Sequence, residues 1–245
     1  MDNTLLVSLS SQLASYRSMD VIANNLANAS TPGFKRESAT FQEYVTQAQP
    51  AEGETGTQPV SFVKDAGDTR DLTQGHAETT NAPFDLAING KGYFTVSTAA
   101  GNRYTRNGHF TLDGDGNIAT EDGDTLQGDG GEITVTADDG DIHIAEDGTV
   151  SGAKGQIGKL KLVDFPDDSA LQKQGSSLYA TDQQPTDVEK PSIHQGMIEA
   201  SNVQPVVEIS NMIEVMRAYQ SSANLTQSQE ELMRNALDKL SAAPN

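Results

Sequence analysis

The apolar residues of the chain follow a helical spacing at both ends and a strand-like alternation between them. From Thr4 to Asn28, large apolar side chains recur at steps of three and four residues, which is typical of one face of an α-helix. This helix is expected to end near Ala29, because the Ser-Thr-Pro-Gly sequence at 30–33 disfavours helix and favours a turn. The apolar face carries Leu5, Leu9, Leu13, Tyr16, Met19 and Leu26.

A second and longer stripe lies near the C-terminus. Between Ile209 and Leu240, ten positions step strictly by three and four, and all but Thr226 and Glu230 are apolar. A repeat of 3.5 residues is that of a coiled coil, whereas a helix lying on a globular core tends toward 3.6. Asn202 is a candidate cap for the start of this helix. The large apolar members of the stripe are Ile209, Met212, Met216, Tyr219, Met233, Leu237 and Leu240.

The pattern changes between the two helices. Residues 35–80 are rich in Gln, Thr, Gly and Glu and have only scattered apolar residues, so we predict an extended, loosely ordered connector. From 81 to 199, short alternating runs are separated by Asp-Gly pairs, which are the preferred sequence of tight hairpin turns. The predicted fold class is therefore α+β. Terminal helices at 1–34 and 200–245 flank an all-β middle domain.

Composition and charge exclude several classes of function. The 245-residue chain has 35 acidic and 16 basic residues and a formal net charge of -19, whereas nucleic-acid binding requires cations that neutralise phosphates. No nucleic-acid partner is expected. No stretch approaches the roughly 18 apolar residues of a membrane span, so direct membrane insertion is not expected either. The chain has no cysteine, which removes disulfides and cysteine nucleophiles. Its acidic start lacks the pattern of a cleaved signal peptide.

Candidate catalytic and metal-binding motifs fail on their spacing. An EF-hand loop beginning at Asp113 would need glycine at its sixth position and has Ile118, so hairpin turns explain the Asp-Gly pairs better. Gly152 and Gly158 are one residue too far apart for a Walker A loop, and the four histidines form no metal-binding pair. We therefore expect no catalytic residue, no metal and no cofactor. An acidic, secreted β-rich module that binds a glycan or calcium remains the competing class.

Three blocks of sequence resemble the signatures of one known family. Residues 23–35, Ala-Asn-Asn-Leu-Ala-Asn-Ala-Ser-Thr-Pro-Gly-Phe-Lys, look like the N-terminal signature of the flagellar rod and hook protein family. Residues 85–94, Asp-Leu-Ala-Ile-Asn-Gly-Lys-Gly-Tyr-Phe, and 104–110, Tyr-Thr-Arg-Asn-Gly-His-Phe, resemble its central β signature. Residues 196–203, Gly-Met-Ile-Glu-Ala-Ser-Asn-Val, resemble its C-terminal signature. Three blocks in the family's order are more specific than any one of them.

The resemblance implies a structural subunit of the flagellar rod, in which the terminal helices form an inner coiled-coil axial layer and the β domain faces outward. The short connector and the Ser-Thr-Pro-Gly-Phe form are most similar to the proximal rod proteins, and the distal rod proteins are the alternative. Export through the flagellar type III apparatus without a cleaved signal is implied. The resemblance also implies assembly in the periplasm, with copies of the same chain and with other rod proteins.

The candidate site residues admit two interpretations. Each apolar stripe either pairs within the chain or packs against neighbouring subunits, and part of a stripe can do one while the rest does the other. The asparagine amides of the first signature either cap and turn the chain or satisfy polar groups of adjacent subunits. Its glycine is expected to supply a positive φ, and its phenylalanine an apolar anchor. This second set is Asn24, Asn25, Asn28, Pro32, Gly33 and Phe34.

Overall fold

The computed structural model describes residues 2–48, 58–175 and 177–241 and divides the chain into two compact units. The helical unit comprises Met1–Ala27, Glu37–Asp71 and Gln204–Asn245, and the β unit comprises Asn28–Arg36 and Leu72–Val203. The units depart from the boundaries expected at 34, 80 and 199. Most of the predicted connector groups with the terminal helices, and the turn after the first helix groups with the β strands.

The two terminal helices are α1, Asp2–Ala27, and α2, Pro205–Ser241. Helix α1 ends just before the Ser-Thr-Pro-Gly turn, as its sequence predicts. Helix α2 begins at proline, which is tolerated in the first turn because the backbone N–H it lacks would have no partner within the helix. Asn202 lies before this start and is not its cap. It instead binds within the β unit, where its side-chain oxygen accepts the Arg36 N–H at 2.7 Å.

A two-stranded antiparallel hairpin completes the helical unit. Its strands are β1, Glu37–Ala48, and β2, Gln58–Arg70, paired along their whole length with one bulge. This pairing corrects the expectation of a loosely ordered connector at 35–80 for both strand segments. Both strands carry Thr, Val, Phe or Tyr at several positions, and these residue types favour strands even where the segment as a whole is polar.

The β unit contains the other described strands. The largest sheet runs in the order β15-β16-β6-β5-β9-β8-β7, with β10, β14 and β17 paired at its sides. Smaller sheets are β11-β12-β13, β18-β4 and β19-β3, and all the pairings are antiparallel. The strands are β3 Ala77–Thr79, β4 Leu86–Ile88, β5 Tyr93–Thr98, β6 Gly101–Thr105, β7 Thr111–Leu112, β8 Ile118–Ala119, β9 Thr125–Gly128, β10 Gly131–Glu132, β11 His143–Ile144, β12 Thr149–Gly152, β13 Gly155–Lys159, β14 Leu162–Asp164, β15 Gln172–Gln174, β16 Leu178–Ala180, β17 Thr186–Asp187, β18 Ile193–Gln195 and β19 Met197–Glu199.

Two apolar clusters form the core of the β unit, one on each side of strand β5. Alternation along the strand sends Phe94 into the larger cluster, where it meets Phe110 edge-on with ring centroids 5.3 Å apart. The preceding residue, Tyr93, points into the smaller and more aromatic cluster. Residues 93–96 of strand β5 are therefore buried on both faces of the strand.

Most of the Asp-Gly pairs form turns, as predicted, and Asp139 instead ends a short 3-10 helix, Ala137–Asp139. Between β7 and β8, the Asp113 carboxylate accepts the backbone N–H groups of Asp115 at 2.9 Å and of Asn117 at 2.8 Å, and Gly116 has a positive φ. Hydrogen bonds from the Asn117 backbone and side chain lower the pKa of Asp113. The carboxylate that would open an EF-hand loop is thus engaged inside its own turn.

Candidate assembly surfaces

Helix α1 carries a row of large apolar side chains that the chain itself leaves exposed. Leu6, Leu9, Leu13 and Tyr16 step by three, four and three residues, and between 49% and 62% of each is accessible. We call these four residues the α1 stripe. The predicted residues Leu9, Leu13 and Tyr16 belong to it. Met19 and Leu26 are half-buried, and the side chain of Leu5 lies outside the described residues.

Helix α2 carries a matching row near its N-terminal end. Val206, Ile209, Ile213 and Met216 step by three, four and three residues, and between 43% and 77% of each is accessible. We call these the α2 stripe. Ile209 and Met216 were predicted. The other predicted residues of this helix do not belong to the stripe: Met212, Tyr219 and Met233 are half-buried, and the side chains of Leu237 and Leu240 lie outside the described residues.

Near the N-terminal end of α1, the contact between α1 and α2 is made by polar side chains. The Ser8 hydroxyl lies 3.0 Å from the Ser222 hydroxyl and 2.8 Å from the Thr226 hydroxyl, and the Gln12 amide donates to Thr226 at 3.1 Å. Small hydroxyl residues therefore meet inside the pair while the leucines of the α1 stripe remain outside. At this end of the pair polar side chains meet, whereas in the usual amphipathic helix pair the apolar faces meet. Contiguous exposed apolar surface of this kind marks an interaction site.

Asn25 fastens the C-terminal end of α1 to the start of β1. Its buried amide accepts the Glu37 N–H at 2.9 Å and donates to the Glu37 carbonyl at 2.7 Å, as a neighbouring strand would. The same amide lies 3.5 Å from the carboxylate of Glu208 in the first turn of α2. Of the three signature asparagines, Asn25 is thus engaged within the chain. Asn24 is exposed, and Asn28 accepts hydrogen bonds from Thr31 in the turn that follows α1.

The turn after α1 places Gly33 and Phe34 inside the β unit, and Pro32 before them is half-buried. Gly33 has a φ of +69°, and its N–H donates to the Glu199 carbonyl at 2.7 Å. A Cβ at this position would lie 2.4 Å from the backbone carbon of Arg106, so only glycine fits. Phe34 is buried, with the Lys173 ammonium 4.4 Å from its ring centroid.

A buried ionic cluster follows directly, and sequence reasoning missed it. The Glu199 carboxylate accepts from Lys35 Nζ at 2.5 Å and from the Gly75 N–H at 3.0 Å, and Arg106 Nη1 lies 3.4 Å away. Lys35 also donates to the Thr73 carbonyl at 2.8 Å. No local pattern could pair residues 164 positions apart. The one available signal was that Lys35, Arg106 and Glu199 each belong to a different signature block.

Among the described residues of the β unit, the other titratable side chains form no constellation that we can assign to catalysis. The nearest is His109, whose Nδ1 lies 2.7 Å from the buried Asp85 carboxylate and whose Nε2 lies 3.6 Å from Glu121. Across the described ranges, no group of three or more His, Asp or Glu residues is placed to hold a metal ion. No helix within those ranges is long and apolar enough to cross a membrane.

Fold and surfaces together define an α+β protein whose two terminal helices carry exposed rows of apolar side chains. Comparison with known proteins agrees. Residues 5–35 match the family described as flagella basal body rod protein, 87–152 the flagellar hook protein FlgE/F/G D1 domain, and 194–239 the C-terminal region of flagellar basal body rod FlgEFG proteins.

Full-length relatives carry the same description. The chain is 44% identical to the flagellar basal-body rod protein FlgF of Caulobacter vibrioides over 98% of both chains. It is 33% identical to the rod protein FlgG of Bacillus subtilis over 90% of this chain and 92% of that protein. It is 32% identical to FlgF of Mesorhizobium japonicum over 92% of both. The chain belongs to the flagellar basal-body rod protein family, and it is a FlgF-like structural protein of that rod.

Proposed function

We propose that the chain packs against neighbouring rod subunits through the α1 stripe and the α2 stripe. The observation that carries this proposal has two parts. Both helices have exposed apolar rows at heptad spacing, and polar side chains form hydrogen bonds between the same two helices. Heptad rows on a helix pack well against other helices, because each side chain can enter a hole between four residues of the partner. In this proposal the terminal helices form a coiled-coil axial layer.

The eight side chains of the two stripes offer enough apolar surface to stabilise such packing. Full burial of a Val, Leu, Ile or Met side chain is worth about 1.5–3 kcal/mol, and these residues are already about half covered. Each therefore has roughly 1 kcal/mol still to gain on assembly. Several copies must contribute together, because association itself costs several kcal/mol in lost freedom.

The finer expectations from sequence remain parts of the proposal. We propose the proximal rod as the site of assembly, because the chain is 44% identical to FlgF of Caulobacter vibrioides and 33% identical to FlgG of Bacillus subtilis. We further propose export through the flagellar type III apparatus, a periplasmic location for the assembled subunit, and contact with copies of this chain and other rod proteins. The alternative class, an acidic secreted binding module, is not favoured by membership of the rod family.

Substitution within the α2 stripe tests the packing surface. We expect Met216→Asp to stop incorporation into basal bodies, because it places a charge on an apolar contact, while the β unit stays folded. Ala218→Asp is the matched control, because it adds the same charge to an exposed position about 200° around the same helix. The measurements are swimming motility, subunit content of purified basal bodies and circular dichroism of the purified chain. A folded Met216→Asp protein that builds normal rods would refute the proposal.

A further inference from the structure

Each of the three signature blocks contributes one charged side chain to a single buried cluster. Lys35 comes from the first block, Arg106 from the central block and Glu199 from the C-terminal block. The side chains of Lys35 and Glu199 are 4% and 1% accessible. Charges are costly to bury unless they are paired, so this cluster requires all of its partners in place at once. The three blocks meet physically at this one point.

Backbone hydrogen bonds join the same segments. The Gly33 N–H donates to the Glu199 carbonyl at 2.7 Å, and the Asn202 side-chain oxygen accepts the Arg36 N–H at 2.7 Å. Asn202 also donates to the Thr73 carbonyl at 3.0 Å, the same carbonyl that Lys35 binds. Residues 33–36, which come after α1 in the chain, are therefore linked to residues 199–202, which come before α2.

We infer that Lys35 and Glu199 are positioning residues, which hold the segment leaving α1 and the segment entering α2 at a fixed separation within the β unit. A buried ion pair is weak evidence for stability, because desolvation offsets much of the attraction, and its better-attested use is to specify one arrangement. Here the arrangement fixed is that of residues 33–36 against 199–202. The inference rests on the proposed function only where it concerns assembly through the α1 stripe and the α2 stripe.

The absence of cysteine from the sequence allows the separation to be measured directly. Cysteines introduced at Ser30, which is exposed, and at Ala200, which is half-buried, would carry spin labels, since both residues belong to the β unit. The full chain would be examined by pulsed dipolar spectroscopy. We expect a narrow distance distribution in the otherwise native chain. In Glu199→Gln, which removes the charge that both cations bind, we expect the distribution to broaden by about twofold as alternative arrangements become populated.

Two further variants separate positioning from simple unfolding. Lys35→Met removes the cation of the same buried pair, and we expect its distribution to broaden as in Glu199→Gln. Lys154→Met is the control, because it removes an ion pair to Asp138 of 2.8 Å that is exposed on both sides. Near-ultraviolet circular dichroism of the tyrosines must show that the β unit remains folded in each variant. If Glu199→Gln fails this requirement, Arg106→Met takes its place, because its contact of 3.4 Å is the longest in the cluster.

The outcomes are distinguishable from failure of the proposed function. A folded cluster variant with a distribution as narrow as that of the native chain overturns the inference, whatever its motility. Broadening accompanied by reduced incorporation into basal bodies supports the inference in full. Broadening with undiminished incorporation overturns the link to assembly. None of these results depends on Met216→Asp, which tests the packing surface alone.

Discussion

Replacement of Asn25 by leucine tests its structural role, and replacement of the exposed Asn224 in helix α2 is the control. Leucine has nearly the same shape as asparagine but can neither donate nor accept a hydrogen bond. In the native chain, Asn25 binds both the N–H and the carbonyl of Glu37, at 2.9 and 2.7 Å. The substitution therefore removes two short hydrogen bonds and leaves two backbone groups at the start of β1 without the partner they had.

The expected loss follows from these two bonds. Each buried backbone group left unsatisfied costs about 1–3 kcal/mol, and Glu37 is only half-buried, so water can recover part of that cost. We expect Asn25→Leu to reduce the free energy of unfolding by about 2–3 kcal/mol. Asn224→Leu changes an exposed asparagine of helix α2 and is expected to stay within about 0.5 kcal/mol of the native chain.

Urea unfolding followed by far-ultraviolet circular dichroism is the appropriate assay, because the helices dominate that signal. The comparison of the two variants matters more than either value, since both replace an asparagine of a terminal helix by leucine. Equal losses for Asn25→Leu and Asn224→Leu would show that helix propensity rather than the contact with Glu37 sets the cost. A loss below about 0.5 kcal/mol in Asn25→Leu would refute the fastening role itself.

Two further predictions concern the β unit. Gly33→Ala should lower the free energy of unfolding by more than about 1 kcal/mol, because alanine is strained at a φ of +69° and its Cβ would strike backbone 2.4 Å away; thermal melting measures this, and an unchanged midpoint would contradict it. Burial, and to a smaller extent repulsion from Asp164, raise the pKa of Asp168. The native carboxyl therefore binds its proton more tightly than the unfolded one does. The stability that it contributes falls as the pH rises through the native pKa. Asp168→Asn should therefore be more stable than the native chain at neutral pH and equal to it at pH well below 3.8, by urea unfolding at both pH values.

Local sequence signals were enough to predict the elements whose causes are local. The turn after α1 follows from Ser-Thr-Pro-Gly, and the hairpin turns of the β unit follow from Asp-Gly pairs. The hairpin of the helical unit was missed because its segment is polar overall, although alternation of Val60 and Phe62 in β2 was a usable sign. The helical repeat also indicated which asparagine is buried. Asn25 lies three residues after the apolar residue Ile22, so the two share one face of α1, and both are buried.

The parts that sequence could not predict depend on contacts between distant residues. Periodicity on α2 predicted one broad apolar stripe, yet the half-buried residues Met212 and Tyr219 and the exposed residues Ile209 and Met216 lie on its two edges. Which edge meets α1 depends on the partner helix and not on the stripe itself. The pairing of Lys35 with Glu199 has the same character, because nothing near either residue specifies the other.

The two units differ in how many apolar residues they bury, and we therefore expect their stability to depend on assembly to different extents. Among the described residues, the buried apolar side chains of the helical unit are Val21 and Ile22, whereas the β unit has two extensive clusters of its own. Helices without an apolar partner are marginal in water, because helix propensity alone does not offset the entropy of ordering the chain. The β unit therefore has the means to fold alone, while the helical unit still has its largest apolar side chains to bury. Burial of the α1 and α2 stripes by neighbouring subunits would supply the helical unit with the core that its own sequence leaves incomplete.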